Sequence, residues 1–206
     1  MANKLNVNPT RQELLKLRAK LVTARRGYKL LKEKRDGLMK HFMSIIKKAR
    51  DLREVIESDL GLAFFSFIFS SAKMRRSVIK ESFYSPGQKI SLKAEAKNVM
   101  GVQVPQFEYK EEGQILSYDL FTTSSSMDRA LRVFSKTLKN MVELAETEHS
   151  AKLLAEEIEK TRRRVNALEH VLIPNIEETM KYITAKLNEQ ERSAFVSLMR
   201  VKSGMV

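Results

Sequence analysis

The residues best suited to chemistry in this chain are cations. Arg25, Arg26, Lys29, Lys32, Lys34 and Arg35 crowd into about three helical turns, with Glu33 the one acid among them. A second group, Arg162, Arg163 and Arg164, lies in the C-terminal half. Such side chains stay charged at neutral pH and act by attracting anionic surfaces. The residue patterns of other chemistries are missing. There is no G-x-x-x-x-G-K-[ST] loop to hold ATP phosphates. His41, His149 and His170 are scattered and form no His-x-x-x-His pair. No nucleophile elbow surrounds any serine. With no cysteine, disulfides, cysteine-ligated zinc and thiol catalysis are excluded. The expectation is a non-catalytic chain with no cofactor and no metal.

The charge is unevenly placed. Residues 1–56 hold 16 Lys/Arg against 5 Asp/Glu, residues 57–126 hold 8 against 8, and residues 127–206 hold 14 against 12. Nearly all of the net +13 therefore belongs to the first segment, which points to an anionic partner there. The N-terminus has no apolar signal-peptide core. The longest greasy run, Leu60 to Phe69, is interrupted by Gly61 and Ser66 and is far short of the ~20 residues a membrane span requires. A soluble chain is expected, linked to any membrane through partners.

The elements that carry the cations follow from periodicity. Asn8 can serve as an N-cap with Pro9 at the first helical position. Apolar residues then step by three and four: Leu14, Leu17, Leu21, Ala24, Tyr28, Leu31, then Leu38, Phe42, Ile45, Ala49, Leu52 and Ile56. Arg35 alone breaks this seam, either as a snorkelling side chain or as a register-setting partner of a carboxylate such as Glu169. Past Ile56 the seam shifts by one position to Leu60, Phe64, Phe67, Ser71, Met74 and Val78, which predicts a stutter. The helix is expected to run over 9–82. The Phe64, Phe65, Phe67 and Phe69 cluster covers more than one helix face, so part of it should meet the hairpin or a partner.

Ser85-Pro86-Gly87 marks a stop, and the period then changes to two. Ile90, Leu92, Ala94 and Ala96 alternate with polar residues, as do Val102 and Val104, followed by Phe107 and Tyr109. This predicts a β-hairpin head over 83–117, reversed within Asn98 to Gly101, with Pro105 at an edge or bulge. A second helix is expected over 118–200, followed by a tail at 201–206. Its seam runs from Met127 to Met141, shifts near Leu144, and continues from Ala151 to Leu172 and, past Pro174, to Leu187. Two stripes of similar length around a short insert fold back most simply. The fold class is mainly α: a long antiparallel two-helix left-handed coiled coil with a small hairpin-containing head at the bend. This register sets Gly27 opposite Pro174, where it would leave room for a kink.

Two strings are more specific than heptads. NPTRQELLKLRAKLVTARRGYKLLKEKRDGLM (Asn8 to Met39) and EIEKTRRRVNALEHVLIPNIEETMKYI (Glu157 to Ile183) resemble the N- and C-terminal signatures of the D subunit of the vacuolar and archaeal-type rotary ATPases. The resemblance implies a central stalk that carries torque between a nucleotide-binding hexamer and a membrane ring, coupling ATP hydrolysis or synthesis to proton or sodium transport. It implies as partners the catalytic and regulatory hexamer subunits, the small central-stalk companion (F), and the socket above the membrane ring (C/d). The location implied is cytoplasmic, peripheral on the membrane, with no insertion into it and no nucleic acid bound. Arg25, Arg26, Lys29, Lys32, Lys34, Arg35 and Arg162 to Arg164 would then face the hexamer bearing. Ile90, Leu92, Val102, Val104 and Phe107 would face the membrane-side socket. The rival reading is a stand-alone basic coiled coil that binds nucleic acid or anionic membrane, for which the pI near 9.9 speaks.

Overall fold

The computed structural model describes residues 6–84, 87–115 and 125–204. In chain order these form helix α1 (Arg11–Ser71), the short helix α2 (Arg76–Ser82), strands β1 (Gln88–Val99) and β2 (Val102–Gly113), helix α3 (Ser125–Ala167), a π-helical turn (Leu168–Leu172) and helix α4 (Ile173–Ser203). The expected start of the second helix at 118 falls outside the described residues. The chain forms two compact units, Met1–Gly37 with Ile158–Val206, and Leu38–Glu157.

In the first unit α1 and α4 lie antiparallel. Arg11 pairs with Glu191, and Arg25 with Glu177 at 2.7 Å. Between these pairs Leu17, Ile176 and Ile183 form a buried cluster, flanked by Leu14, Leu21, Met180 and Leu187. Pro174 does not break the helix. Its missing N–H and its ring clash with the preceding turn are absorbed by the π-helical turn just before it. Gly27 plays no part in this. A Cβ there would meet nothing within 4 Å, so no close approach requires the glycine.

In the second unit α1 and α3 are antiparallel too. Lys48 bridges to Glu143 at 2.7 Å, Arg53 pairs with Glu148, and the Ser70 and Ser126 hydroxyls share a 2.8 Å hydrogen bond. The α1 seam does not slip. Burial continues in unbroken three-four steps through Ile56, Asp59, Ala63, Ser66 and Ser70, with Ala63 and Ser70 at 0 % exposure. The predicted stutter followed the large residues, but the seam here is carried by small ones. Phe64 is left 53 % exposed at its margin, edge-to-face on Phe134 at 5.3 Å. On α3 the series Ala130, Thr137, Leu144 and Ala151 keeps a seven-residue interval without the shift expected near Leu144. The seam hydroxyls of Thr137 and Ser70 return to their own helices: Thr137 donates to the Val133 carbonyl and Ser70 to that of Ser66.

Helix α1 ends eleven residues before the expected 82. Phe67 and Phe83 have ring centroids 6.5 Å apart, whereas 16 residues of unbroken helix would separate them by ~24 Å. The break uses Ser70 and Ser71. The Ser71 hydroxyl takes the Ile68 carbonyl, the Ser70 and Ser71 carbonyls accept from Lys73 and Met74, and Arg75 turns extended.

The hairpin has a two-residue turn, Met100-Gly101, with φ of 53° and 88°, the signature of type I′. The Asn98 side-chain oxygen accepts the Gly101 N–H at 2.8 Å. Register is constant from Val99↔Val102 to Gln88↔Gly113, so Pro105 sits in a regular strand and not in a bulge. At the base Gly113 (φ +99°) passes so close to the Gly87 carbonyl that a Cβ would lie 2.1 Å from its oxygen. Because side chains alternate, Val102 and Val104 share one face and Phe107 and Tyr109 the other.

Two outcomes test this packing. Ala63→Leu should overpack the seam and destabilise by ~1–3 kcal/mol in denaturant melts, while Phe65→Ser, at an exposed position, should change stability by well under 1 kcal/mol. The Tyr109 hydroxyl is shielded from solvent beside Glu111. Burial, with the Glu111 carboxylate beside it, pushes its phenol from 10 up to about 12. The unfolded chain then releases this proton first, so stability should fall as pH rises from 10 toward 12. Tyr109→Phe should remove that component of the alkaline decline.

Candidate functional site

The cation run occupies α1 of the first unit, where helix geometry sends its members in different directions. Arg25 is engaged by Glu177 and walls an open groove of about 580 Å³ with Leu21, Met180, Lys181 and Thr184. Arg26 and Lys29 are exposed and make no ion pair among the described residues. Lys32 holds its ammonium 5.8 Å from the Tyr28 ring centroid. Lys34 is half-buried and engaged within the chain. Arg35, on the seam, is half-buried, and both Nε (3.0 Å) and Nη2 (2.8 Å) donate to one Asp36 carboxylate oxygen. Its partner is thus its sequence neighbour and not Glu169, which is exposed in the π-helical turn. The run is therefore a partly neutralised flank whose free members are Arg26 and Lys29.

Arg162, Arg163 and Arg164 are all exposed on α3, and Arg163 is paired to Glu159 one turn earlier. The antiparallel register sets residue 177 beside residue 25, so the three arginines lie about four turns from Arg25 along the pair. By the same register they lie only about one turn beyond Arg35, the near end of the run.

Another surface in this unit escaped periodicity. Arg11 pairs with Glu191, so α4 beyond residue 192 has no α1 residue opposite it. Every residue from 188 to 204 is exposed, including Phe195, Leu198, Met199 and Val201, the last three at 57–69 %. An apolar helix end with no covering neighbour among the described residues marks an interaction surface. The signal was present in the sequence as apolar residues continuing past the length of their partner helix.

In the second unit the head residues divide. Val102 and Val104 are buried, at 9 % and 7 %, so their side chains serve the chain's own packing. Phe107 is half-buried, and its N–H donates to the Glu146 carboxylate of α3 at 2.8 Å. Ile90 and Leu92 are exposed. The larger open apolar area is on α1, where Leu62, Phe65, Ile68 and Phe69 are 53–72 % exposed, Phe69 under the Lys73 ammonium. Among the described residues no cluster of three or more potential metal ligands occurs, and no helix is long and apolar enough to cross a membrane.

The two signature strings resemble those of the rotary-ATPase D subunits, and comparison with known proteins agrees. Residues 13–203 match the family of ATP synthase D subunits. The chain belongs to the ATP synthase D-subunit family. It is 48 % identical over 200 residues to the V-type ATP synthase D subunit of Thermoanaerobacter sp. (strain X514), covering 96 % of each chain. It is 45 % identical over 207 residues to the V-type ATP synthase D subunit of Clostridium botulinum (strain ATCC 19397 / Type A), covering 98 % of this chain and 96 % of the relative. As a family member it has the mainly helical coiled-coil fold with one β-hairpin.

The ion pairs between the helices are solvent-exposed, so each contributes only about 0–1 kcal/mol. Arg25→Ala should therefore leave the melting midpoint of the isolated chain within a few degrees of the parent, by circular dichroism, with the small difference shrinking in 1 M salt.

Proposed function

We propose that the chain is the non-catalytic central stalk of a V-type rotary ATPase or ATP synthase, transmitting torque between a nucleotide-binding hexamer and a membrane ion-translocating ring. The observation that carries this reading is family membership across nearly the whole chain, joined to helices that hold each other by a buried seam. A shaft must resist twisting while its outer contacts are repeatedly exchanged. The seam serves the first need. Exposed cations, each worth little alone and acting over about a Debye length, serve the second.

In this reading Arg26 and Lys29, with the outward faces of Arg25 and Lys32, meet acidic loops of the hexamer. Arg162 to Arg164 extend this basic surface from the second helix. Phe195, Leu198, Met199 and Val201 supply an apolar bearing surface that tolerates rotation because dispersion contacts are non-directional. On the membrane side Ile90, Leu92 and the Leu62–Phe69 face are the surfaces open to the socket, in place of Val102 and Val104. The small central-stalk companion binds the same coiled coil, and the location is the cytoplasmic face of the membrane.

The absence of native cysteine makes a clean test possible. A single cysteine at Leu198, disulfide-linked to an engineered cysteine in the hexamer, should abolish steady ATP turnover, and reduction should restore it. A passive scaffold would keep turning over ATP while cross-linked, and that result would refute the rotor reading.

A further inference from the structure

The two edges of the hairpin differ in a way its packing does not require. In a two-residue type I′ turn, Val99 and Val102 form a hydrogen-bonded pair, so alternate pairs outward are bonded and non-bonded. The non-bonded pairs are Asn98/Gln103, Ala96/Pro105, Ala94/Phe107, Leu92/Tyr109, Ile90/Glu111 and Gln88/Gly113. The 2.8 Å bond from the Phe107 N–H to Glu146 agrees, since that N–H must point away from β1. The outer edge of β2 is thus interrupted at its middle by two devices: a carboxylate from α3 on Phe107, and Pro105, which has no N–H to offer.

The outer edge of β1 has neither. The N–H and C=O groups of Ile90, Leu92, Ala94 and Ala96 point away from β2 and have no partner among the described residues. These four are apolar, and all four side chains are exposed. Lysines usually guard such an edge. Here Lys89 and Lys93 face Glu112 and Glu108 across the sheet, whereas Glu95 and Lys97 face the uncharged Gln106 and Val104.

We infer that β1 is a docking edge for an extended segment of another subunit of the rotary complex, which adds a third strand to the hairpin. Main-chain bonds to Ile90, Leu92, Ala94 and Ala96 hold that strand. It is apolar on the side of Ile90 and Leu92. On the other side it carries a carboxylate beside Lys97 and a cation beside Glu95, the two charges left without a cross-strand counterpart.

The inference rests on the rotor reading for its partner, and site-resolved amide hydrogen exchange on the isolated chain and on the assembled complex tests the two separately. In the isolated chain Lys93 and Glu95 should exchange slowly, and Ile90, Leu92, Ala94 and Ala96 fast. Assembly should slow those four at least tenfold. Ala94→Pro removes an outward N–H without touching the β1–β2 ladder, so it should abolish this protection at Leu92 and Ala96, while Ala94→Val preserves it. Equal exchange of the four amides in both states would overturn the inference with the rotor reading intact. Protection already present in the isolated chain and lost on dilution would overturn it in favour of a second copy. Failure to assemble with ATPase subunits would defeat the rotor reading itself. If Ala94→Pro disrupts the hairpin, shown by fast exchange at Lys93, the wild-type comparison still decides.

Discussion

Each helix of this chain can bury only one stripe, and the structure depends on keeping the two stripes in register. A two-helix pair has no third layer, so a residue off the seam stays in water or waits for a partner. Small residues at Ala63, Ser70, Ala130 and Thr137 let the backbones approach closely in the second unit. Their hydroxyls cause no unsatisfied burial because each returns to a carbonyl of its own helix. Larger aromatic residues are thereby displaced outward, where Phe64 and Phe67 still find Phe134 while Phe65 and Phe69 are left exposed.

The same geometry explains where the helices deviate. A proline must be accommodated without losing the stripe on either side of it, and the π-helical turn before Pro174 does this. Val165 and Ile176 remain buried on either side of that turn, while Val171 and Leu172 within it are exposed. At the other deviation, two serines end α1 so that Phe83 can return to Phe67. Electrostatics then decorates a frame already set by packing. The interhelical pairs Arg25–Glu177 and Lys48–Glu143 sit on the margins of the seam, exposed and individually weak, and they favour the antiparallel register without carrying the stability.

Much of the candidate site was legible because charge and period are properties of composition and spacing. Arg26, Lys29 and Arg162 are exposed as a solvated flank requires. What was not legible is pairing. Arg35 could have met any carboxylate within reach, and the adjacent Asp36 takes it at two nitrogens. Nor could alternation alone assign the hairpin faces. Val102 and Val104 are even-numbered and Phe107 odd-numbered, so a regular register through Pro105 sends them to opposite sides. The Val102 and Val104 side chains turn inward and leave Ile90 and Leu92 as the open pair.

By itself the sequence determined two long helical stripes, a hairpin between them and the cationic first segment. These depend on local periodicity and residue type, which no tertiary contact can alter. Only the tertiary structure decided that the seam passes through Ala63 and Ser70 and not through Phe64. A small residue is buried by what lies opposite it, and hydropathy read along one chain carries no record of the facing helix. For the same reason only the fold shows which cations keep their charge free, and which edge of the hairpin is interrupted and which is open.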